Sequence, residues 1–266
     1  MNSGNAPASQ NVASGSVFGA PCWVSLTTRD LAVAQEFYGA VLGWDWRVGK
    51  LGDQYRFAGV NGVPVAGVSA VEAVGRAAVA WTPFFAAADA NETVARSQER
   101  GGTTAVGPLS FPPGRAALLA DREGAVFGIW EGELVAGWEQ WRRAAPVFVE
   151  LYTRDAFDAA IFYAEVLGWA SPVSGCCEVH YEDEGVVLRS QGDVVARIHS
   201  GAVESAPDPE VRPHWQIHFT VADVDACAQA ALAHGGSVLW GKEGHTEAIL
   251  CDPDGAHFVV NAKPAP

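Results

Sequence analysis

The sequence predicts an α+β protein made of four copies of one βαβββ unit, arranged as two tandem domains of curved mixed sheet with helices on the outside. Internal repeats carry that reading. Leu26-Thr-Thr-Arg-Asp30, followed by Phe37-Tyr-Gly-Ala-Val-Leu-Gly-Trp44, returns as Leu151-Tyr-Thr-Arg-Asp155 and Phe162-Tyr-Ala-Glu-Val-Leu-Gly-Trp169, every position displaced by 125 residues. Between and after these, Trp81 to Asp89 with Gly101-Gly102 matches Trp215 to Asp223 with Gly235-Gly236, displaced by 134. Asp121-Arg-Glu-Gly124 with Phe127 matches Asp252-Pro-Asp-Gly255 with Phe258, displaced by 131. The order is therefore A-B-A-B, and 266 residues suffice for two domains that each bury a core.

Each A unit opens on an apolar run, Cys22 to Leu26 or Val147 to Tyr152, which reads as a strand. Asp30 and Asp155 stand where an N-cap is wanted, because a short side-chain acceptor satisfies the free N–H groups of a helix start. Leu31, Ala34, Phe37, Tyr38, Val41 and Leu42 then recur at three- and four-residue spacing, one apolar helical face. Gly43 and Gly168 fall where the helices end. Further strands are expected at Tyr55–Phe57, Val63–Val68, Val179–Tyr181, Val186–Ser190 and Val194–Ile198. The B units repeat the plan, with a strand at Val79–Ala86, a helix near 90–100, and strands at Ala116–Leu119 and Ala125–Trp130 after a Pro112-Pro113-Gly114 turn. The expected organisation is a flexible tail over 1–19, a first domain over 20–132, a connection over 133–145 in which Trp138 and Trp141 pack the halves together, and a second domain over 146–263.

Composition removes several classes of function. Apolar residues make up 49% and charged ones 18%, a soluble globular balance, and no run approaches the roughly 18 apolar residues of a spanning helix. A net charge of -14 opposes nucleic acid and anionic lipid, which draw their affinity from Lys and Arg. Five cysteines form no C-x-x-C pair, which suits reduced thiols, and the adjacent Cys176 and Cys177 read as ordinary small residues near a turn. No export signal opens the chain, so a cytoplasmic monomer or homodimer is expected. Walker, G-x-G-x-x-G and G-x-S-x-G motifs are missing, so no nucleotide cofactor or hydrolase elbow is expected.

A strand, an Asp-capped helix ending in Phe-Tyr-x-x-Val-Leu-Gly-Trp and strands closing on Asp-Pro-Asp-Gly resemble the vicinal oxygen chelate superfamily, the glyoxalase and bleomycin-resistance fold. The likeness runs from Ala20 to Ala262 and is closest to the tandem-domain type of actinobacteria, which includes proteins of aromatic polyketide clusters. It implies two clefts, each a U-shaped sheet, and in metal-dependent members a divalent ion held by His, Gln or Glu. The first-strand ligand positions so implied are Trp23, Thr82, Phe148 and Gln216, and the closing carboxylate positions are Gly128 and Val259. Only Gln216 among them is a possible ligand. All seven histidines lie at His180 or beyond. No metal and no cofactor are therefore expected.

What remains for the clefts is aromatic. Trp23, Trp81, Phe84, Trp130, Phe148, Tyr152, Trp215 and Phe219, with Gln216, are candidates for contact with a planar aromatic or polyketide-like ligand, which is either sequestered, as in resistance, or chemically altered in secondary metabolism. His218 is the candidate general base, with Glu150 orienting or protonating it. Two other readings stand beside this one. A metal-dependent lyase, isomerase or dioxygenase would use Glu150, His218 and His257 of the second domain, and a pure interaction protein would have both clefts filled.

Overall fold

The computed structural model describes residues 17–49, 52–70, 78–111, 113–134, 147–169, 176–182, 185–190, 192–202, 212–241, 244 and 246–262. Trp138, Trp141, Pro112 and most of the expected N-terminal tail lie outside them.

Each repeat folds as strand, helix and three strands. The first comprises β1 (Pro21–Thr28), α1 (Leu31–Leu42), β2 (Asp45–Val48), β3 (Tyr55–Val60) and β4 (Val63–Ala70). The second has β5 (Ala80–Ala86), α2 (Ala90–Glu99), β6 (Thr103–Phe111), β7 (Gly114–Ala120) and β8 (Val126–Gly132). The third has β9 (Val147–Thr153), α3 (Ala156–Leu167), β10 (Glu178–Glu182), β11 (Gly185–Ser190) and β12 (Asp193–Ser200). The fourth has β13 (His214–Val221), α4 (Val224–Ala233), β14 (Ser237–Trp240), β15 (Glu247–Cys251) and β16 (His257–Ala262).

Neighbouring repeats share a sheet. The orders are β2-β3-β4-β1-β5-β8-β7-β6 and β10-β11-β12-β9-β13-β16-β15-β14. The central pairs β1/β5 and β9/β13 are antiparallel, while β1/β4, β5/β8, β9/β12 and β13/β16 are parallel. Asp30 and Asp155 cap their helices as expected, each side chain accepting from the amides two and three residues on. Gly43 and Gly168 end them at φ 67° and 74°, where a side chain would be strained.

The helices pack across the domains. α1 lies against α4, and α2 against α3. The repeated motifs supply the polar part of this interface. Tyr38 donates to Asp252 at 3.0 Å and accepts from Trp81 Nε1 at 2.9 Å, and Tyr163 donates to Asp121 at 2.9 Å and accepts from Trp215 Nε1 at 2.9 Å. The other oxygen of each aspartate caps its own turn, accepting from Glu123 and Ala125 or from Asp254 and Ala256. Trp44 and Trp169 stack on the two phenols at 5.3 and 5.6 Å. Within the same motifs Thr28 and the Arg29 amide donate to Asp254, and Thr153 and the Arg154 amide to Glu123.

Several expectations are corrected here. Trp81, Trp215 and Phe219 belong to this interface core, each at most 5% exposed, on the face of the sheet opposite the cleft. Side chains two apart share a face, so Trp81 and Phe84, or Trp215 and Gln216, necessarily point opposite ways. Cys176 and Cys177 are joined as a disulfide, their Cα atoms only 3.7 Å apart just before β10, whereas Cys22, Cys227 and Cys251 take no part in a disulfide.

Candidate functional site

The concave face of the second sheet carries a polar cluster on adjoining strands. Phe148, Glu150 and Tyr152 alternate with the buried Val149, Leu151 and Thr153, so they share the open face of β9. The register sets His218 opposite Phe148, Gln216 opposite Glu150 and His214 opposite Tyr152 from β13, and Arg197 and His199 beside Glu150 and Tyr152 from β12.

Glu150 is the centre of this arrangement. Tyr152 donates to its Oε2 at 3.1 Å. His218 Nε2 lies 3.3 Å from Oε2 and His199 Nε2 3.5 Å from Oε1. Neither contact has full hydrogen-bond geometry, each is an ion pair only when its imidazole is protonated, and neither buried nitrogen has another partner. Burial alone would raise the Glu150 carboxyl, but His199 and His218 together outweigh it and hold the group well below the usual carboxylate range. Burial and the Glu150 charge drive the Tyr152 phenol the other way, above its ordinary value. His218 Nδ1 meets Asn261 Nδ2 at 3.3 Å, and that amide also donates to Glu247 at 2.8 Å. Tyr152 is sandwiched between His199, at 5.1 Å, and His214, at 5.5 Å, with interplanar angles of 25° and 13°. Phe148 meets His218 edge-on at 6.0 Å. Next to His199, at the β11/β12 side, a depression of about 360 Å³ is lined by Glu182, Gly185, Val186, Val187, Arg197, Ile198 and His199, with Glu150, Tyr152 and His218 outside its lining; its volume is within the range of small-molecule sites.

The predicted pair Glu150 and His218 is thus brought together, with Phe148, Tyr152 and Gln216 around it. Sequence reasoning missed His199 and Asn261. The alternation of Val195, Arg197 and His199 on one face of β12 was the available signal for the former. His257 stands at the start of β16 opposite Cys251, and the imidazoles that meet Glu150 are His199 and His218.

The first cleft lacks this chemistry. By the 125- and 134-residue displacements, Ser25 stands where Glu150 does and Phe84 where His218 does. Gly67 pairs with Ser25 as Arg197 pairs with Glu150. Trp23, Tyr55 and Phe57 close over that glycine: Trp23 donates to the Tyr55 hydroxyl at 3.0 Å, and a Cβ on Gly67 would sit 1.7 Å from that oxygen. Phe84 lies on Gly128, where a Cβ would come within 2.4 Å of the ring, and Trp130 donates to the Glu133 carbonyl.

Residues 147–261 match the family model described as a glyoxalase-like domain. Anthracycline biosynthesis protein DauV of Streptomyces sp. (strain C5) is 32% identical over 91% of this chain and 92% of its own length, and anthracycline biosynthesis protein DnrV of Streptomyces peucetius 31% over 91% and 92%. The Mn(II)-bound glyoxalase from Novosphingobium aromaticivorans superposes with a TM-score of 0.57 at 16% identity, covering 93% of this chain and 83% of that one. The chain belongs to the glyoxalase-like, vicinal oxygen chelate superfamily, in its tandem-domain actinobacterial form.

A divalent ion is the group such a fold implies, and the residues present do not fit one. Among the described residues no group of three or more His, Cys, Asp or Glu is placed to hold a metal ion. His199 Nε2 and His218 Nε2 approach different oxygens of the one Glu150 carboxylate, at 3.5 and 3.3 Å.

Proposed function

We propose that the second cleft binds a planar aromatic or polyketide-like small molecule and exchanges a proton with it without a metal ion, as a tailoring step of secondary metabolism in the cytoplasm. The observation that carries this is Glu150, held ionised on the open face of the second sheet by a phenol and two imidazoles. Such a carboxylate orients a base and stabilises the charge the base acquires, and proton transfer to a positioned base contributes about 10²–10⁴-fold. Phe148 offers an aromatic surface to a ring system, while both faces of Tyr152 are taken by His199 and His214. Two relatives are named for the biosynthesis of anthracyclines, which are planar polycyclic aromatics. Trp23, Phe84 and Trp130, proposed from sequence as ligand contacts, pack on Tyr55, on Gly128 and on the Glu133 carbonyl in the first domain, which favours the second cleft as the working one.

The test is a titration of chelator-treated protein with alizarin, a planar dihydroxyanthraquinone whose own absorbance reports binding. The expected result is saturable binding that a chelator leaves unchanged. Binding that appears only after Mn(II) or Fe(II) is added back would restore the metal-dependent alternative. No saturable binding by alizarin or a panel of similar rings would remove the proposal.

A further inference from the structure

A carboxylate has only acceptor sites, so every group that bonds it must bring the proton. Glu150 faces three such groups: the Tyr152 hydroxyl and the Nε2 atoms of His199 and His218. An imidazole nitrogen this close to a carboxylate oxygen is repelled by it unless it carries hydrogen, so both imidazoles carry hydrogen on Nε2, and in the neutral ring the lone pair sits on Nδ1.

The two Nδ1 atoms differ in what surrounds them. That of His218 faces Asn261 Nδ2, and the orientation of this amide is fixed because its NH₂ also donates to the Glu247 carboxylate, which can only accept. The lone pair of His218 is thus already engaged, on a side chain only 6% exposed. The His199 side chain is 30% exposed and lines the depression with Arg197 and Glu182. Its Nε2 is the buried, turned-in atom; its Nδ1 edge is the one left to the cleft.

We propose that His199 Nδ1, and not His218, is the base of the second cleft, and that it takes the proton of an acidic hydroxyl, phenol or enol, on the bound molecule. This rests on the reading of the second cleft as a small-molecule site. The O–H bond of the ligand breaks, its electron pair stays on oxygen, and the proton joins Nδ1. The imidazolium so formed keeps its Nε2–H on Glu150, and the oxyanion has Arg197 on the same strand face, itself steadied by Glu182 at 3.7 Å. His218, with Asn261 and Glu247 behind it, is a positioning residue that holds Glu150 in place.

Two measurements on the full chain test this. Long-range ¹H–¹⁵N correlation of the imidazoles in ligand-free protein should show His199 and His218 both protonated on Nε2 with bare Nδ1. Neutral His199 protonated on Nδ1 overturns the assignment. Alizarin titrated at a pH below its own ionisation should turn to its phenolate colour on binding. His199→Gln should lose that colour shift even at saturating alizarin, with weaker binding because His199 also lines the depression, whereas His218→Gln keeps part of the shift. A full shift in His199→Gln overturns the inference even if binding is intact. The expected ¹⁵N pattern with no alizarin binding supports the assignment of the base and removes the proposed ligand class.

Discussion

The hydroxyl of Tyr38, in the first helix of the chain, donates to the carboxylate of Asp252 at 3.0 Å across 214 residues of sequence. Its counterpart, Tyr163 on Asp121, closes the other half of the interface at 2.9 Å. The two repeated motifs therefore meet each other: the Phe-Tyr of an A unit meets the closing turn of a B unit in the other domain. Burial holds both carboxyls above the usual carboxylate range, and the phenols and turn amides offset only part of that rise.

Replacing Tyr38 with Phe removes the hydroxyl and leaves Trp81 Nε1 and one Asp252 oxygen unpaired in the core. A buried hydrogen bond to a charged group contributes about 1.5–3 kcal/mol, and an orphaned partner costs a comparable amount. Tyr38→Phe should lower unfolding stability by about 2–4 kcal/mol in denaturant titration. Tyr163→Phe should match it, and one cooperative transition should be retained because α1/α4 and α2/α3 still join the domains.

Alkaline titration should find four phenols silent in the native protein. Burial raises Tyr38 and Tyr163 well above their ordinary value and Tyr55 to about 12, while burial and Glu150 raise Tyr152. A phenol raised on folding contributes stability that is complete below the unfolded value and lost as pH rises through the folded one. At about pH 11 the native absorbance of these four tyrosines should remain that of the phenol, and unfolding at that pH should release their ionisation in one step.

Glu150 has the opposite sign. Its carboxyl is lowered on folding, so its contribution is present above the ordinary Glu value of about 4.3 and disappears only as pH falls through the lower folded value. Glu150→Gln should therefore melt below wild type at neutral pH. The gap should persist at about pH 4 and close only in stronger acid, as read by parallel melting curves.

Gly67→Ala tests the closed state of the first cleft. The added Cβ would meet the Tyr55 hydroxyl at 1.7 Å and Trp23 Nε1 at 2.9 Å, so the Trp23–Tyr55 pair must move. Overpacking of this kind costs about 1–3 kcal/mol. Alizarin binding at the second cleft should be unaffected, and a loss of binding would place the site in the first domain instead.

The repeats made the four units, their helix caps and the tandem plan legible, because the motif residues do the same structural work in each copy. Asp30 and Asp155 cap their helices, Gly43 and Gly168 end them, and Tyr38 and Tyr163 cross the interface. The pairing of units was open in the sequence, since it depends on strand neighbours and not on motif spacing. Alternation divides a strand into two faces without saying which meets the helices, and this is why Trp81, Trp215 and Phe219 were assigned to clefts when they belong to the core. Glu150 and His218 were found from their parity on neighbouring strands. His199 was not, because alternation along β12 gives only its face, and the β9/β12 register is what sets it beside Tyr152.

The central claim is tested most directly by titration calorimetry of alizarin into chelator-treated full-length protein, with metal content measured on the same sample. The account predicts one site per chain, saturable at negligible bound metal and unchanged when Mn(II) is supplied. Stoichiometric metal that survives purification and is required for binding, or no saturable heat with any planar hydroxylated ring, would contradict it.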